Sequence, residues 1–571
     1  MSSLLFHPAL PILIGAFLVL RLNGTARSIV LLGTPMVSLV LVWSIPASLI
    51  APDGVVISIP YMEWTLEPFK TDKLSRLFAT VFGLMAFAGN LYALKQEKVL
   101  ELFAANIYIA FSLGVVFAGD LITVFVFWEM MALASSTVIF SAGTGTARAA
   151  GIRYLMIHLL GGVVLMAGIA GEVSATGSIA FTSMLPDTLP RALILAGFLL
   201  NTGAPPFSAW VPDSYPEASY SGMVFLSAFT TKTAVYVLAR GFPGAEILIF
   251  IGLFMIFYGI IYGLCENNAR KMLGYSIVNQ VGFMVTAIGI GSALAINGAV
   301  AHAFAHIIYK GLLIMATGSV FYVTGKRKFT EYGGLFRTMP LTAICCIIGG
   351  LSISAFPFTS GFVSKAMTAE ATYVGQYYWV WYLLAAGTAG VFLDVGIKLQ
   401  YFVFFGKDSG QRPPEPPLHM RAAMVFFAIL CVGIGVAPQL FYQLLPYAQD
   451  YEPNTPDHIV TQFQILLFSG AAFFLFLKYY GWHLVNSLTL DFDWFYRVWG
   501  RNIAVAFTQN AGSARDSIID DLSKGAKQTI DRIYHRHGPA GVLARTMPTG
   551  RMAFWAIVML AVYLLVDFAF M

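Results

Sequence analysis

Apolar stretches long enough to cross a bilayer follow one another along nearly the whole chain, and no other feature constrains the fold as strongly. A helix needs about 20 such residues to span a hydrocarbon layer of ~30 Å. Runs of this kind fall near residues 8–20, 28–50, 77–94, 102–119, 121–141, 153–171, 191–212, 218–239, 245–264, 272–290, 295–323, 338–364, 378–405, 421–440, 460–479 and 552–570. Only 11% of the 571 residues are charged and 58% are hydrophobic, whereas soluble chains carry about 25% charge. Lipid has to solvate such a surface, which excludes a soluble enzyme, a secreted disulfide scaffold and a nucleic-acid binder. In lipid every backbone polar group must be satisfied internally, so the expected fold is an all-α polytopic membrane protein with 14–16 transmembrane helices. The first run lacks a basic n-region and a small-residue cleavage site, and is expected to remain as an anchored helix. Cys265, Cys345, Cys346 and Cys431 lie in apolar segments with no CxxC or His-spaced pattern. They read as packing residues, and neither a metal nor another cofactor is expected.

Orientation follows from sorting Lys and Arg onto alternate sides. With the N-terminus outside, 25 of the 34 fall inside and five (Lys70, Lys73, Arg76, Arg191, Arg240) outside. The remaining four, Lys232, Lys310, Lys365 and Lys398, lie within spans. Segment 491–551 is different in kind, with nine Lys/Arg and six Asp. Between Ser513 and His535, Ile518, Ile519, Leu522, Ile530 and Ile533 share a helical stripe, which predicts an interfacial amphipathic helix of ~35 Å. A solvated linker to an anchoring helix explains the same pattern.

Ionisable groups in hydrocarbon are costly and by default mark a functional pathway. Glu129 sits in FVFWEMMALAS and Lys232 in SAFTTKTAVYVLAR. His302, His306 and Lys310 recur at i, i+4 and i+8 in AHAFAHIIYKGLL, on one helix face over about 12 Å. A proton relay needs such closely spaced sites of adjustable protonation. Lys365 follows SGFVS at the end of a proline-interrupted span. Asp394 and Lys398, also four apart, read as a structural ion pair near the interface. His158 is single and open to either reading, and Asp213 and Glu217 read as loop organisers. Pro205-Pro206 and Pro357 interrupt two spans about 150 residues apart. Broken spans at corresponding places in two halves point to an internally repeated transporter.

Five ordered motifs carry a family resemblance: Trp128-Glu129, the PxxxWVPDxxPEA pattern ending at Ala218, RKMLGYSIVNQVGF at 270–283, HAFAHIIYK at 302–310 and SAFPFTSGFVSK at 354–365. Together they resemble the antiporter-like subunits shared by respiratory complex I, membrane-bound hydrogenases and Mrp-type Na+/H+ antiporters. TKTAVYVLAR and LDFDWFYR at 490–497 look most like the Mrp D-type subunit. The resemblance implies two inverted five-helix repeats, each a half-channel with one broken helix. Expected regions are N-terminal helices at 1–100, a first repeat at 101–240, a second at 241–410, peripheral helices at 411–480, the basic segment 481–551 and a last helix at 552–571. It also implies a bacterial or archaeal plasma membrane, hydrophobic partner subunits including further antiporter-like ones, H+ as transported ion, and Na+ left open.

In that family the glutamate matching Glu129 pairs with a lysine on the first broken helix, and this lysine's position is Asn201 here. Two consequences stay open: Lys232 takes over as the partner of Glu129, which we favour, or the first half-channel is disabled. Beside a cation Glu129 stays ionised, and on the cation's withdrawal it takes up a proton. His302, His306 and Lys310 match the central relay and Lys365 the exit-side residue. The function expected is proton translocation within a cation/H+ antiporter complex. The alternatives are a proton-pumping subunit of a redox-driven complex, whose chain would have no redox centre of its own, and a scaffold that has lost transport.

Overall fold

The computed structural model describes residues 6–51, 54–479, 491–538, 541 and 547–570. They form two compact units, Met1–Asp493 and Trp494–Met571. The first opens with α1 (Leu10–Arg21) and α2 (Gly24–Ser44), then a hairpin of β1 (Val55–Tyr61) and β2 (Trp64–Lys70) between the apolar runs 28–50 and 77–94. The strands pair antiparallel, with Tyr61 opposite Trp64 and Ile59 opposite Leu66. Asp120 fixes the hairpin to the helices: one carboxylate oxygen accepts from Glu67 N at 2.7 Å, the other from Thr123 N at 2.8 Å.

Next come α3 (Lys73–Tyr92), α4 (Val99–Phe117), α5 (Leu121–Phe140), α6 (Gly145–Thr176) and α7 (Leu189–Thr202). After a break the chain continues as the short α8 (Trp210–Ser214) and α9 (Gly222–Leu226), then α10 (Thr230–Gly241). The second half comprises α11 (Ile247–Cys265), α12 (Ala269–Ile290), α13 (Ala293–Thr324), α14 (Pro340–Ile353), α15 (Ser360–Val374) and α16 (Tyr378–Val391), the last running on in π-helical turns to Phe405. α17 (Leu418–Val436), α18 (Pro438–Tyr442) and α19 (Pro456–Tyr479) follow. Among the described residues, thirteen helices are long and apolar enough to cross a membrane, and α1, α7 and α14 are shorter apolar helices.

The two halves repeat one local design. α4 and α11 are both 19 residues, α6 and α13 both 32, and α7 and α14 both 14. A shift of 148 residues carries the helix-capping side chains Asp120 and Thr144 onto Asn268 and Ser292. The same shift carries the left-handed Gly177 that closes α6 onto Gly325, and the Asp120–Ala180 bridge onto Asn268–Lys328. Small polar residues cap helix starts because their oxygens accept free N–H groups, and glycine closes helix ends because it takes positive φ without strain. Each repeat crosses five times (α4, α5, α6, α7–α8, α9–α10 in the first), and an odd number of crossings starts the next repeat on the opposite side. That is the inverted arrangement expected.

An 18-residue stretch of α13 and another within Gly222–Gly241 are wholly buried, whereas most of α19 faces outward. α11 and α12 meet backbone to backbone, since a Cβ on Gly252 would come within 2.6 Å of Gly282 O. Small residues permit this approach where lipid gives no hydrophobic drive to associate. Of the cysteines, Cys345, Cys346 and Cys431 are buried as expected, while Cys265 is exposed on its apolar helix.

In the second unit a π-helical turn (Phe495–Gly500) leads into α20 (Arg501–His537), and α21 (Thr549–Phe570) follows. The expected amphipathic helix was too short. α20 has 37 residues, about 55 Å at 1.5 Å per residue, because the stretch before Ser513 continues the helix without an amphipathic signature. Ile518, Ile519, Leu522, Ile530 and Ile533 are exposed. Within the predicted segment 481–551, residues 481–490, 539–540 and 542–546 lie outside the described residues, as does Leu490 of the 490–497 motif.

Candidate proton path

α13 places His302, His306 and Lys310 on one face, all buried. Lys310 Nζ donates to Ser276 Oγ of α12 at 2.7 Å. His302 Nδ1 lies 2.9 Å from Ser364 Oγ of α15, and its Nε2 3.3 Å from Tyr309 OH. Tyr309 OH also reaches Gln280 Oε1 at 3.1 Å, and Ser364 Oγ also reaches Ser360 O and Gly361 O at 3.3 and 3.2 Å, so the His302 tautomer follows whichever of the two hydroxyls turns its proton to the ring. Both ring nitrogens of His306 are buried without a hydrogen-bond partner.

The break at Pro357 sets Lys365. It frees the last carbonyls of α14, and Lys365 Nζ donates to one of them, Ile353 O, at 2.8 Å. The ammonium also lies 4.5 Å above the Phe283 ring, a favourable cation–π position. A cavity of about 480 Å³ between α15, α16 and α19 reaches Lys365. Thr388 and Gln462 line it, along with Glu370 and His458, whose Oε2 and Nε2 are 3.6 Å apart.

In the first half the break containing Pro206 also frees a carbonyl, Leu200 O, but a neutral donor, Trp210 Nε1, takes it at 2.9 Å. Asn201 is fully buried and neither its Oδ1 nor its Nδ2 has a partner. Lys232 is held by Ser227 O at 2.6 Å and Thr231 Oγ1 at 3.0 Å, where the chain unwinds between α9 and α10. Its charged neighbour is Lys310. Glu129 points instead at Gly162 of α6, and its buried Oε1 has no partner. The favoured Glu129–Lys232 pair is therefore not formed. The unwound α9–α10 junction binds the amine locally, away from the carboxylate.

His158 stacks on Tyr154 at 3.9 Å, and its Nδ1 lies 2.8 Å from Tyr154 O. Lys398 lies 3.8 Å from Asp394, both buried, and donates to Gly263 O, Leu264 O and Glu266 O at 2.8–3.0 Å. It thus caps the C-terminus of α11. Asp213 accepts two bonds from Arg153, and Glu217 accepts from Thr146. Ser276, Gln280, Tyr309 and Ser364 were not anticipated. The available signal was weak: Ser276, Asn279 and Gln280 are polar residues three and four apart near the middle of a long helix.

Two inverted repeats, one broken beside the Lys365 amine and the other beside the uncharged Asn201, define an antiporter-like membrane protein. Residues 118–392 match the family described as NADH:quinone oxidoreductase/Mrp antiporter, TM. The chain is 27% identical over 498 residues to the D-type subunit of the Na(+)/H(+) antiporter of Alkalihalophilus pseudofirmus, covering 80% of this chain and 98% of that protein. A chain of the Mrp complex from Dietzia sp. DQ12-45-1b superposes with a TM-score of 0.67 at 19% identity, over 82% of this chain and 98% of that one. A chain of the membrane-bound sulfane sulfur reductase, an archaeal respiratory membrane complex, gives 0.70 at 23% identity, over 98% and 99%. Both structures share the fold.

Proposed function

We propose that the chain is the proton-translocating, antiporter-like subunit of a multisubunit Na+/H+ antiporter complex in a bacterial or archaeal plasma membrane, with its N-terminus outside and segment 481–551 cytoplasmic. The observation that carries this is the buried centre of α13, whose His302, His306 and Lys310 lie between Lys232 of the first half and Lys365 of the second. The regions 101–240 and 241–410 act as the two half-channels. Lys232 and Lys310 are amines of like charge within electrostatic reach, so protonation of one disfavours protonation of the other. That coupling moves a proton onward to His302 and Lys365, and the cavity at Lys365 gives it a way out. Glu129 tunes the first half by taking or releasing a proton beside Gly162. The partners are further hydrophobic subunits, and Na+ moves on the opposing path.

A second reading, a proton-pumping subunit of a redox-driven complex, is favoured by the near end-to-end superposition on the sulfane sulfur reductase chain. Vesicles containing the whole complex separate the two. Dissipation of a pH gradient by added NaCl supports the antiporter, whereas a gradient built only on adding an electron donor supports the redox complex. In either setting Lys310→Ala and Glu129→Gln are expected to lower proton flux more than tenfold. Normal flux in Lys310→Ala would sink the proposal.

A further inference from the structure

The relay helix of the second half has a counterpart in the first. Moving α13 back by the same 148 residues puts His302 on Tyr154, His306 on His158 and Lys310 on Gly162. Where Lys310 reaches Ser276, the first half has no side chain on α6, and Glu129 of α5 fills the space. Asn201 holds no proton that it can release. The relay helix of the first half therefore carries no amine, and a hydroxyl stands at the place of the His302 imidazole.

That hydroxyl belongs to a continuous chain. Tyr154 OH lies 2.8 Å from Ser135 Oγ and 3.2 Å from Thr230 Oγ1, and Thr230 Oγ1 lies 2.5 Å from Tyr108 OH. The four side chains come from α5, α6, α10 and α4, and all are buried. In each contact either oxygen can donate, because a hydroxyl is both donor and acceptor. One polarity runs from Tyr108 through Thr230 and Tyr154 to Ser135, which donates to Met131 O at 2.8 Å. In the other, Tyr108 donates outward toward Tyr215, whose buried hydroxyl has no partner and stands within electrostatic reach. Thr230 adjoins Thr231, whose Oγ1 accepts from Lys232 Nζ at 3.0 Å.

We propose that Ser135, Tyr154, Thr230 and Tyr108 are the proton-conducting element of the first half, a hydroxyl wire that stands where the second half uses imidazole and that serves Lys232. This rests on the reading of the chain as a proton translocator. A proton arriving at Ser135 Oγ displaces that group's own proton to Tyr154, and the displacement repeats to Thr230 and Tyr108, whose own proton leaves toward Tyr215. The wire meets Lys232 at its Thr230 link, one residue along the chain from the Thr231 hydroxyl that holds the amine. No hydroxyl is left charged. Passage turns the outward polarity into the inward one, and rotation of the four O–H bonds resets the wire. Such a wire conducts without storing charge, so the storage site is the Lys232 amine.

The test uses vesicles bearing the whole complex and reads proton flux against the amount of assembled complex. Thr230→Val and Tyr154→Phe remove a hydroxyl with little change of shape, and Thr230→Ser restores one. Flux is expected to fall more than tenfold in Thr230→Val and Tyr154→Phe at unchanged complex content, and to stay within about twofold of the wild type in Thr230→Ser. Wild-type flux in Thr230→Val and Tyr154→Phe, with Lys310→Ala inactive, overturns the wire alone. Undiminished flux in Lys310→Ala removes the translocation reading and the wire with it. Flux in Thr230→Ser as low as in Thr230→Val, or losses that merely follow lost assembly, assigns the hydroxyls to packing and also overturns the wire.

Discussion

Glu129 rests its carboxylate against Gly162, and any Cβ at that glycine would overlap Oε1. The obstacle is the end of a flexible side chain, which moves aside for about 1 kcal/mol, so Gly162→Ala should assemble normally and still displace the carboxylate. Proton flux is expected to fall at least threefold in that variant with thermal stability nearly unchanged. Wild-type flux would mean that the carboxylate's position is immaterial. Individual charges such as Glu129 and Lys310 were legible in the sequence because a charge inside an apolar run has no cheap explanation. Their partners were not, since which side chains face each other depends on helix rotation. Lys232 turning toward Ser227 and Thr231, away from Glu129, is the clearest instance.

Among the elements, the end of α11 depends on a single side chain. Lys398 donates to three carbonyls there while lying near Asp394. Lys398→Met would leave those acceptors and a buried carboxylate uncompensated, a loss of about 3–5 kcal/mol. The solubilised complex should then melt well below the wild type, and an unchanged melting temperature would show that the carbonyls find other donors. Breaks were readable at this scale because prolines announce them, as Pro206 and Pro357 did. The hairpin at Val55–Lys70 was not, for its strands alternate too weakly to stand out beside transmembrane runs. α20 was only half readable, because a helix without an amphipathic stripe leaves no periodic mark.

For the molecule as a whole, the orientation proposed from the distribution of Lys and Arg has the hairpin outside and the Lys407 loop inside. Cysteines introduced at Glu63 and Lys407, in a background cleared of native thiols, should divide under a membrane-impermeant reagent. Cells should label Glu63→Cys, inverted vesicles Lys407→Cys, and the opposite result would reverse the orientation. Sixteen apolar runs and one pair of broken spans were enough to indicate a repeated membrane fold. The register of the repeat, 148 residues, required the caps and bridges, because few identities survive between the halves at sequence level.

The burial of α13 bears on how the chain is made. A lysine at the middle of a lone helix in lipid costs about 2.5–3.5 kcal/mol, and α13 carries two imidazoles besides. Its polar partners are delivered at different times during synthesis. Ser276, which receives Lys310 Nζ, precedes α13 in the chain, so the lysine is met as soon as the helix leaves the ribosome. Ser364, which lies against His302 Nδ1, emerges some 60 residues later. During that interval the nascent helix is least at home in the bilayer, so insertion machinery must shelter it until α15 arrives.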